Sequence, residues 1–142
     1  MKKFVMIRHR FAGLHCWPDC PYENLSFLRY PHRHLFYITV GLEVTDSDRE
    51  IEFLKAKSKL EIYLDDYKDT KNQSICWDLG SKSCEMLGEE IGNYMNLIYL
   101  NQVSFVEVWE DNENGARIEF TESQAQTGNV LVERWSGWLR GK

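Results

Sequence analysis

A regular cysteine pattern, an excess of basic charge and a long apolar run are all missing from this sequence of 142 residues. The four cysteines are too few and too unevenly spaced for a disulfide framework in a chain of this length, so we expect free thiols in a reducing compartment. The 17 basic and 22 acidic residues give a net charge of −5. This balance argues against a nucleic-acid partner, because binding to phosphate backbones requires a basic face.

Membrane and secretory signals are also lacking. No apolar run approaches the ~20 residues that span a bilayer, and Arg8 and Arg10 interrupt the N-terminal segment before a signal-peptide core could form. We therefore expect a cytoplasmic protein with no membrane partner. The composition, 43% hydrophobic and 27% charged, is that of a folded protein, and the length fits one domain.

The first half of the chain predicts two strands separated by a long loop. Residues 3–11 mix β-branched, aromatic and basic side chains in rough alternation, which is typical of a strand with one wet face; this strand ends at Ala12-Gly13. The following stretch, to residue 31, contains all three prolines and shows no sustained period, which indicates a loop. From His34 to Val44 the even positions form one continuous, mainly apolar face, as in a second strand.

The second half predicts two helices followed by a hairpin. Apolar spacing indicates a helix at about residues 54–65, and Ser83 is a suitable N-cap for a second helix with Glu85 in its first turn. Strands at residues 103–110 and 116–120 flank a turn in which Asn114-Gly115 would supply positive φ angles. The resulting order, ββααββ, predicts an α+β fold with a four-stranded antiparallel sheet and two helices on one face.

The end of the chain does not continue this pattern. We expect residues 1–120 to form a single domain and residues 121–142 to be a C-terminal extension that packs on the domain or on a neighbouring subunit. Its large apolar groups are Val130, Val132, Trp135 and Trp138. A lid over a site is the alternative.

Three histidines are placed to converge on one metal ion. His32 and His34 are two residues apart on a strand, so their side chains point to the same side. If the first two strands pair antiparallel, His15 lies near them and supplies a third ligand. Three imidazoles with an open fourth position suit a catalytic zinc site. A rival set joins Cys16 and Cys20 to His32 and His34 in a closed site.

The sequence also resembles a known family. The strings that carry the resemblance are FAGLH at 11–15, HRH at 32–34, IEFLKAK at 51–57, YLDD at 63–66, SCEM at 83–86 and VEVWE at 106–110. Their order and spacing are similar to those of the 6-pyruvoyl-tetrahydropterin synthase and 6-carboxy-tetrahydropterin synthase family over about residues 4–120. The resemblance implies the tunnelling fold, in which subunits assemble into an oligomeric β-barrel with active sites at their interfaces.

The resemblance also assigns roles to particular residues. It implies Zn²⁺ on His15, His32 and His34. A family glutamate that anchors the pterin or purine ring corresponds to Glu110, and a carboxylate suits a guanidine-like ring edge. The family's Thr-x-Glu at the start of the second helix corresponds to Ser83 and Glu85, which we expect to bind substrate.

The catalytic residues of the family are not reproduced. Its cysteine would stand four to six residues before the His-x-His pair, where this chain has residues 26–28, Ser-Phe-Leu. Ser26 or Glu23 is the candidate replacement, and Cys20 is a more distant one. The family's Leu-Asp-His reads here as Leu-Asp-Asp, so Asp65 and Asp66 are candidate acid or base groups if they are buried together.

We therefore expect a zinc-dependent lyase that acts on the side chain of a dihydroneopterin-type pterin or deazapurine with a base other than cysteine. The alternative is a non-catalytic protein that binds a heterocycle or nucleotide derivative in the same pocket. A purely structural oligomer would leave the three histidines unexplained.

Overall fold

Five strands and two α-helices make up the computed structural model, which describes residues 1–68 and 75–121. The strands are β1 (Lys3–His15), β2 (His32–Val44), β3 (Trp77–Asp78), β4 (Val103–Glu110) and β5 (Asn114–Glu119), and the helices are α1 (Phe53–Asp65) and α2 (Cys84–Tyr99). The strands form one sheet in the order β3-β1-β2-β4-β5. The α+β class is confirmed.

The predicted count of four strands is wrong, because β3 adds a fifth. This strand pairs parallel to β1 at Gly13 and Leu14, and it lies between the two helices, where the sequence predicts no strand. Two residues are too few to show any periodicity, so only the neighbouring strand reveals them. The other three pairings, between β1 and β2, β2 and β4, and β4 and β5, are antiparallel.

One face of the sheet carries the core. Alternate residues of β1 and β2, such as Phe11, Phe36 and Ile38, are buried and cluster with Leu60 of α1 and Ile91 of α2. The strand period of two places these side chains on the same side of the sheet. Both helices therefore cover the face that ends in the three histidines.

Both helices begin at side-chain caps. Ser83 accepts a hydrogen bond from the backbone N–H of Met86, as its predicted N-cap role requires. Glu52 caps α1 by accepting from the N–H groups of Leu54 and Lys55. The predicted helix at about 54–65 is confirmed within one residue.

Strand β1 is longer than predicted. It continues past Gly13 to His15, which pairs with His32. Gly13 is required there because a Cβ would lie 2.9 Å from ring atoms of Phe36. The glycine is a point of close packing within the strand and does not end it.

The turn between β4 and β5 also differs from the prediction. Asn114 and Gly115 pair within the ladder, and the positive φ angles belong to Asp111 (52°) and Asn112 (58°). Asp and Asn tolerate this left-handed backbone better than most residues. The shift by three positions places Asp111 beside the end of β2, where it contacts the site described below.

The long predicted loop between β1 and β2 includes a short 3-10 segment, Glu23–Arg29. All four cysteines are free thiols, as expected. No helix among the described residues is long and apolar enough to cross a membrane. Apart from Thr121, the predicted extension at 121–142 lies outside the described residues.

Candidate metal centre

The three predicted ligand histidines lie together at one end of the sheet. His15 is directly opposite His32 in the β1–β2 ladder, and His34 follows two residues along the same face. Their ring centroids are 4.6 Å (His15 to His32), 5.3 Å (His15 to His34) and 5.0 Å (His32 to His34) apart. One nitrogen from each ring lies within 4.8 Å of the others, a cluster that could hold a metal ion.

A hydrogen bond at Nδ1 orients each ring. His15 Nδ1 lies 2.9 Å from the Lys82 carbonyl oxygen, and His32 Nδ1 lies 2.9 Å from that of Tyr30. His34 Nδ1 lies 2.7 Å from Asp111 Oδ2. Because carbonyl and carboxylate oxygens only accept, Nδ1 carries the proton in each ring, and Nε2 is the nitrogen that could bind a metal ion. Such partners are typical of metal-ligating histidines.

Glu110 lies next to the cluster from the neighbouring strand. Its Oε1 is 3.2 Å from His15 Nε2 and its Oε2 is 3.4 Å from His34 Nε2. The position follows from the β2–β4 register, which places Glu110 opposite Phe36 and on the face of the histidines. The carboxylate therefore borders the space on which the imidazoles converge.

These contacts shift the pKa values of His15 and Glu110 in opposite directions. Burial lowers the pKa of His15, but its hydrogen bonds to Glu110 and to the Lys82 carbonyl outweigh that effect and raise it. The hydrogen bond from His15 lowers the pKa of Glu110 against the opposing effect of burial. Without a metal the pair thus favours an imidazolium beside a carboxylate.

Cys84 makes a second contact with Glu110. Its thiol lies 3.5 Å from Glu110 Oε1 and donates to it. Burial, and then the charge of the carboxylate, raise the pKa of Cys84 to about 12. The group is therefore a neutral donor at physiological pH and not a thiolate nucleophile.

A cavity of about 520 Å³ opens beside the histidines. The predicted site residues on its wall are His15, His32, Ser83, Glu85 and Glu110. Its apolar wall is formed by Trp17, Leu28 and Met86. The structure thus joins a histidine cluster that could hold a metal ion, a carboxylate and an apolar surface in one space large enough for a small heterocyclic molecule.

The turn that holds His15 is itself anchored. The Lys82 ammonium lies 2.7 Å from Glu90 Oε1, and the hydroxyls of Tyr63 and Tyr67 donate to Glu90 Oε2 at 3.1 and 2.7 Å. These bonds connect the two helices to the residue whose carbonyl orients His15. The network thus helps to keep that carbonyl in place.

The four predicted catalytic residues do not line this cavity in their own chain. Glu23 is exposed and pairs with Arg29 at 2.9 Å, and Ser26 is half-buried in the 3-10 segment. Asp65 and Asp66 are exposed at the end of α1, where Asp65 pairs with Lys68 at 3.0 Å. Their catalytic roles stay predictions.

The rival metal site with two cysteines is not assembled. Among the described residues only the three histidines form a cluster of potential ligands. Cys20 is buried, and its sulfur lies 3.8 Å from the Leu25 carbonyl oxygen.

Sequence reasoning missed Asp111, Lys82 and Cys84. Asp111 accepts from the backbone N–H of Leu35 at 2.9 Å as well as from His34, and its own N–H donates to the Leu35 carbonyl. Its position one residue after Glu110 was the only available hint. Lys82 acts through its backbone carbonyl, which every residue possesses, so no sequence signal could have identified it.

Comparisons with known proteins support the fold. No protein-family model matches the chain, and a search of curated sequences finds no match. Among solved structures, the chain is similar to 6-pyruvoyl tetrahydropterin synthase from Caenorhabditis elegans, with a TM-score of 0.61 and 12% identity over 85% of this chain and 97% of that one. An uncharacterized protein from Wolinella succinogenes gives a TM-score of 0.53 and 13% identity over 85% and 99%.

The fold is therefore that of the 6-pyruvoyl-tetrahydropterin synthase class, as the sequence resemblance implied. At this identity the similarity concerns the fold alone.

Proposed function

We propose that the chain is a zinc-dependent lyase that acts on the side chain of a dihydroneopterin-type pterin or a related deazapurine. The observation that carries this proposal is the convergence of three Nε2 atoms, each in a ring already oriented through Nδ1, beside Glu110 and an open cavity.

The donor set fits Zn²⁺. Neutral imidazole nitrogens are preferred zinc ligands, and three protein ligands leave one position for water or substrate. His15, His32 and His34 would hold the ion, which when bound polarises an oxygen of the substrate. The three hydrogen bonds at Nδ1 limit rotation of the rings, so little reorganisation is required for binding.

Glu110 would select the heterocycle. Its pKa is lowered, so it is a carboxylate and can accept two hydrogen bonds from a guanidine-like ring edge. Ser83 and Glu85 lie on the wall of the same cavity and would contact the remaining polar edge, while Trp17 and Met86 provide apolar surface for the ring. The Cys84 thiol keeps one Glu110 oxygen oriented.

The proton transfers require a base, and among the described residues none of the four predicted catalytic residues lines the cavity of its own chain. If Asp65 and Asp66 take part, they come from a second copy, since both are exposed and absent from the cavity wall of their own chain. This supports a homo-oligomer, such as the barrel implied by the resemblance, with sites between subunits. Glu23, Ser26 and water are the remaining candidates.

A non-catalytic protein that binds the heterocycle is the second candidate. It is favoured by one observation: no predicted acid or base other than the binding residues lines the cavity. Metal and ring recognition would then serve to hold a ligand and not to convert it.

Metal analysis and turnover separate these functions. We expect purified protein to contain about one zinc per chain and to consume dihydroneopterin triphosphate, with loss of both in His34→Ala. Zinc with tight heterocycle binding and no turnover would establish the second candidate. A folded protein that takes up no zinc would contradict both functions.

The oligomer is tested by mixing two inactive variants. His32→Ala lacks a metal ligand, and the double variant Asp65→Asn, Asp66→Asn lacks the candidate acids. If the sites are shared between copies, co-expression of the two restores part of the activity. Equal inactivity of the mixture and its parents would contradict shared sites.

A further inference from the structure

A second cavity lies mainly on the face of the sheet opposite the helices and is also lined by His9 and by Lys57 of α1. Arg8 and Arg10 are exposed and alternate with buried or half-buried residues of β1, so both point away from the core. They line a cavity of about 530 Å³ together with Tyr37 and Thr39 of β2. At this level β1 is the outer strand of the described sheet, because β3 pairs only with Gly13 and Leu14. This cavity shares no lining residue with the metal centre.

The cavity holds positive charge without acidic partners. Lys57 of α1 lines it alongside the two arginines. The residues directly opposite Arg8 and Arg10 on β2 are Thr39 and Tyr37, neither of which is acidic. Across the described ranges 1–68 and 75–121, no carboxylate lies within ion-pair distance of Arg8, Arg10 or Lys57.

The one acid on the cavity wall is already engaged. Glu107 accepts from Arg117 at 2.8 Å and from the indole N–H of Trp109 at 3.3 Å. Arg117 also pairs with Glu119 at 3.0 Å. Two carboxylates therefore neutralise the arginine on β5. The two arginines on β1 pair with no carboxylate of the described residues, although both strands expose the same face.

Side chains two residues apart on a strand are about 7 Å apart. Two guanidinium groups at that separation repel each other. The chain has a net charge of −5, so acidic residues that could neutralise them are in excess over basic ones. Instead, the neighbours are a hydroxyl of threonine and a phenol of tyrosine, which donate hydrogen bonds. Arginine forks, an ammonium and hydroxyl donors together match the oxygens of phosphate groups.

We propose that this cavity binds an oligophosphate anion, either inorganic or carried by a nucleotide. Arg8 and Arg10 bind neighbouring phosphate groups, Lys57 adds charge from the strand's open edge, and Thr39 and Tyr37 donate hydrogen bonds. Tyr37 and Trp109 are cross-strand partners and offer aromatic surface for a base, if one is attached. The site is independent of the function proposed for the metal centre.

Calorimetric titration of the full chain with inorganic tripolyphosphate tests the proposal. We expect binding that weakens as salt is added, and a loss of about tenfold or more in affinity in the double variant Arg8→Gln, Arg10→Gln, since each charged hydrogen bond contributes about a tenfold factor. Arg10→Lys keeps the charge without the fork and should lose less. No binding by the wild type, or equal binding by the double variant, would overturn the proposal.

Two controls separate this site from its alternatives. Lys55→Gln removes one positive charge from α1 outside the cavity and should leave binding unchanged. If this variant lost as much affinity as the double arginine variant, binding would depend only on net charge, and the proposed site would be refuted. His32→Ala disables the candidate metal centre and should also leave binding unchanged, whereas abolished binding would place the anion on the metal.

Titration with ATP then distinguishes the two sources of the anion: affinity equal to that for tripolyphosphate indicates phosphate recognition alone, and tighter binding indicates a nucleotide. Binding of ATP without binding of tripolyphosphate would contradict the role of the arginines.

Discussion

Glu50 lies near one end of the β1–β2 strand pair, and the three histidines lie at the other. Glu50 Oε1 accepts from the N–H groups of Thr45 and Asp46 and from the Thr45 hydroxyl, and its Oε2 accepts from Gln102 at 2.6 Å. These bonds tie the end of β2 to the segment before β4. Two of these four contacts are with backbone N–H groups, and all four hold segments of the fold together.

At the histidine end, the hydrogen bonds at Nδ1 do not occupy the Nε2 atoms of the three rings. Each imidazole uses Nδ1 for a partner within the fold, and the Nε2 atoms of His15 and His34 lie 3.2 and 3.4 Å from Glu110, a second acceptor when it is ionised. A cluster of acceptors needs a cation or protons between them. The two ends differ in what their hydrogen bonds do: those of Glu50 join segments of the fold, whereas those at Nδ1 orient the histidine rings around one shared space.

The largest expected effect comes from removing one histidine. His15→Ala should lower zinc affinity by more than about 100-fold because it deletes a candidate ligand. Loss of a residue that only hydrogen-bonds to a ligand costs at most about 100-fold. Competition with a chromogenic chelator measures the change. Glu50→Gln at the other end is the control and should bind zinc as the wild type does. An equal loss of zinc affinity in both variants would contradict the different roles assigned to the two ends.

Asp111→Asn tests whether orientation at Nδ1 matters. The amide keeps the shape of the side chain but weakens the charge-assisted bond to His34, so zinc affinity should fall by about 10- to 100-fold. The same chelator assay applies, together with the visible spectrum of the cobalt-substituted protein. Glu113→Gln removes a carboxylate from the same turn and should change neither; unchanged affinity in Asp111→Asn would contradict the orienting role.

Glu50 should instead contribute to stability in a pH-dependent way. Hydrogen bonds from the backbone N–H groups of Asp46 and Thr45 lower the pKa of Glu50 below its ordinary value. A group whose pKa is lower in the folded state stabilises the fold above the unfolded-state pKa, about 4.3 for glutamate, and loses that contribution as the pH falls through the folded value. Wild type should therefore unfold at a higher temperature than Glu50→Gln at pH 7, and the difference should shrink below about pH 4. A difference independent of pH would contradict this assignment.

The smallest effect concerns Cys84. With its pKa raised to about 12, this thiol should be alkylated by iodoacetamide more slowly than a free cysteine at pH 8. Glu110→Gln removes the neighbouring charge, and the rate should rise modestly because burial remains the larger cause. Peptide mass spectrometry after timed labelling measures both rates. Rapid labelling of Cys84 in the folded wild type would show that the thiol is neither buried nor bound to Glu110.

Much of the fold followed from local patterns. Alternation along β2 and the cap at Ser83 each depend on residues close in sequence, and these elements lie where they were predicted. The two-residue strand β3 was not predictable, because it exists only through its pairing with β1. The turn at Asp111 was not predictable either, because it depends on the register between β4 and β5, which places Gly115 in the ladder.

The candidate site divides in the same way. His32 and His34 had to share a side of any strand they occupied, and an antiparallel partner was enough to bring His15 to them. Two of the three residues that orient these rings could not be predicted, because they are distant in sequence: Lys82 and Asp111 are 67 and 77 residues away from the histidines they contact. Distance in the chain also hid where Asp65, Asp66, Glu23 and Ser26 lie relative to the cavity.

By itself, the sequence determined which side chains could share a face, because the strand period of two and the helix period of 3.6 are properties of the backbone. It therefore determined the class of fold and the three histidines. Only the tertiary structure decided that each Nδ1 would find an acceptor, that Glu110 would border the cluster, and that Arg8 and Arg10 would have no ion pair within the described part of the chain. Those outcomes depend on which strands pair and in what register, and residue spacing along one segment does not contain that information.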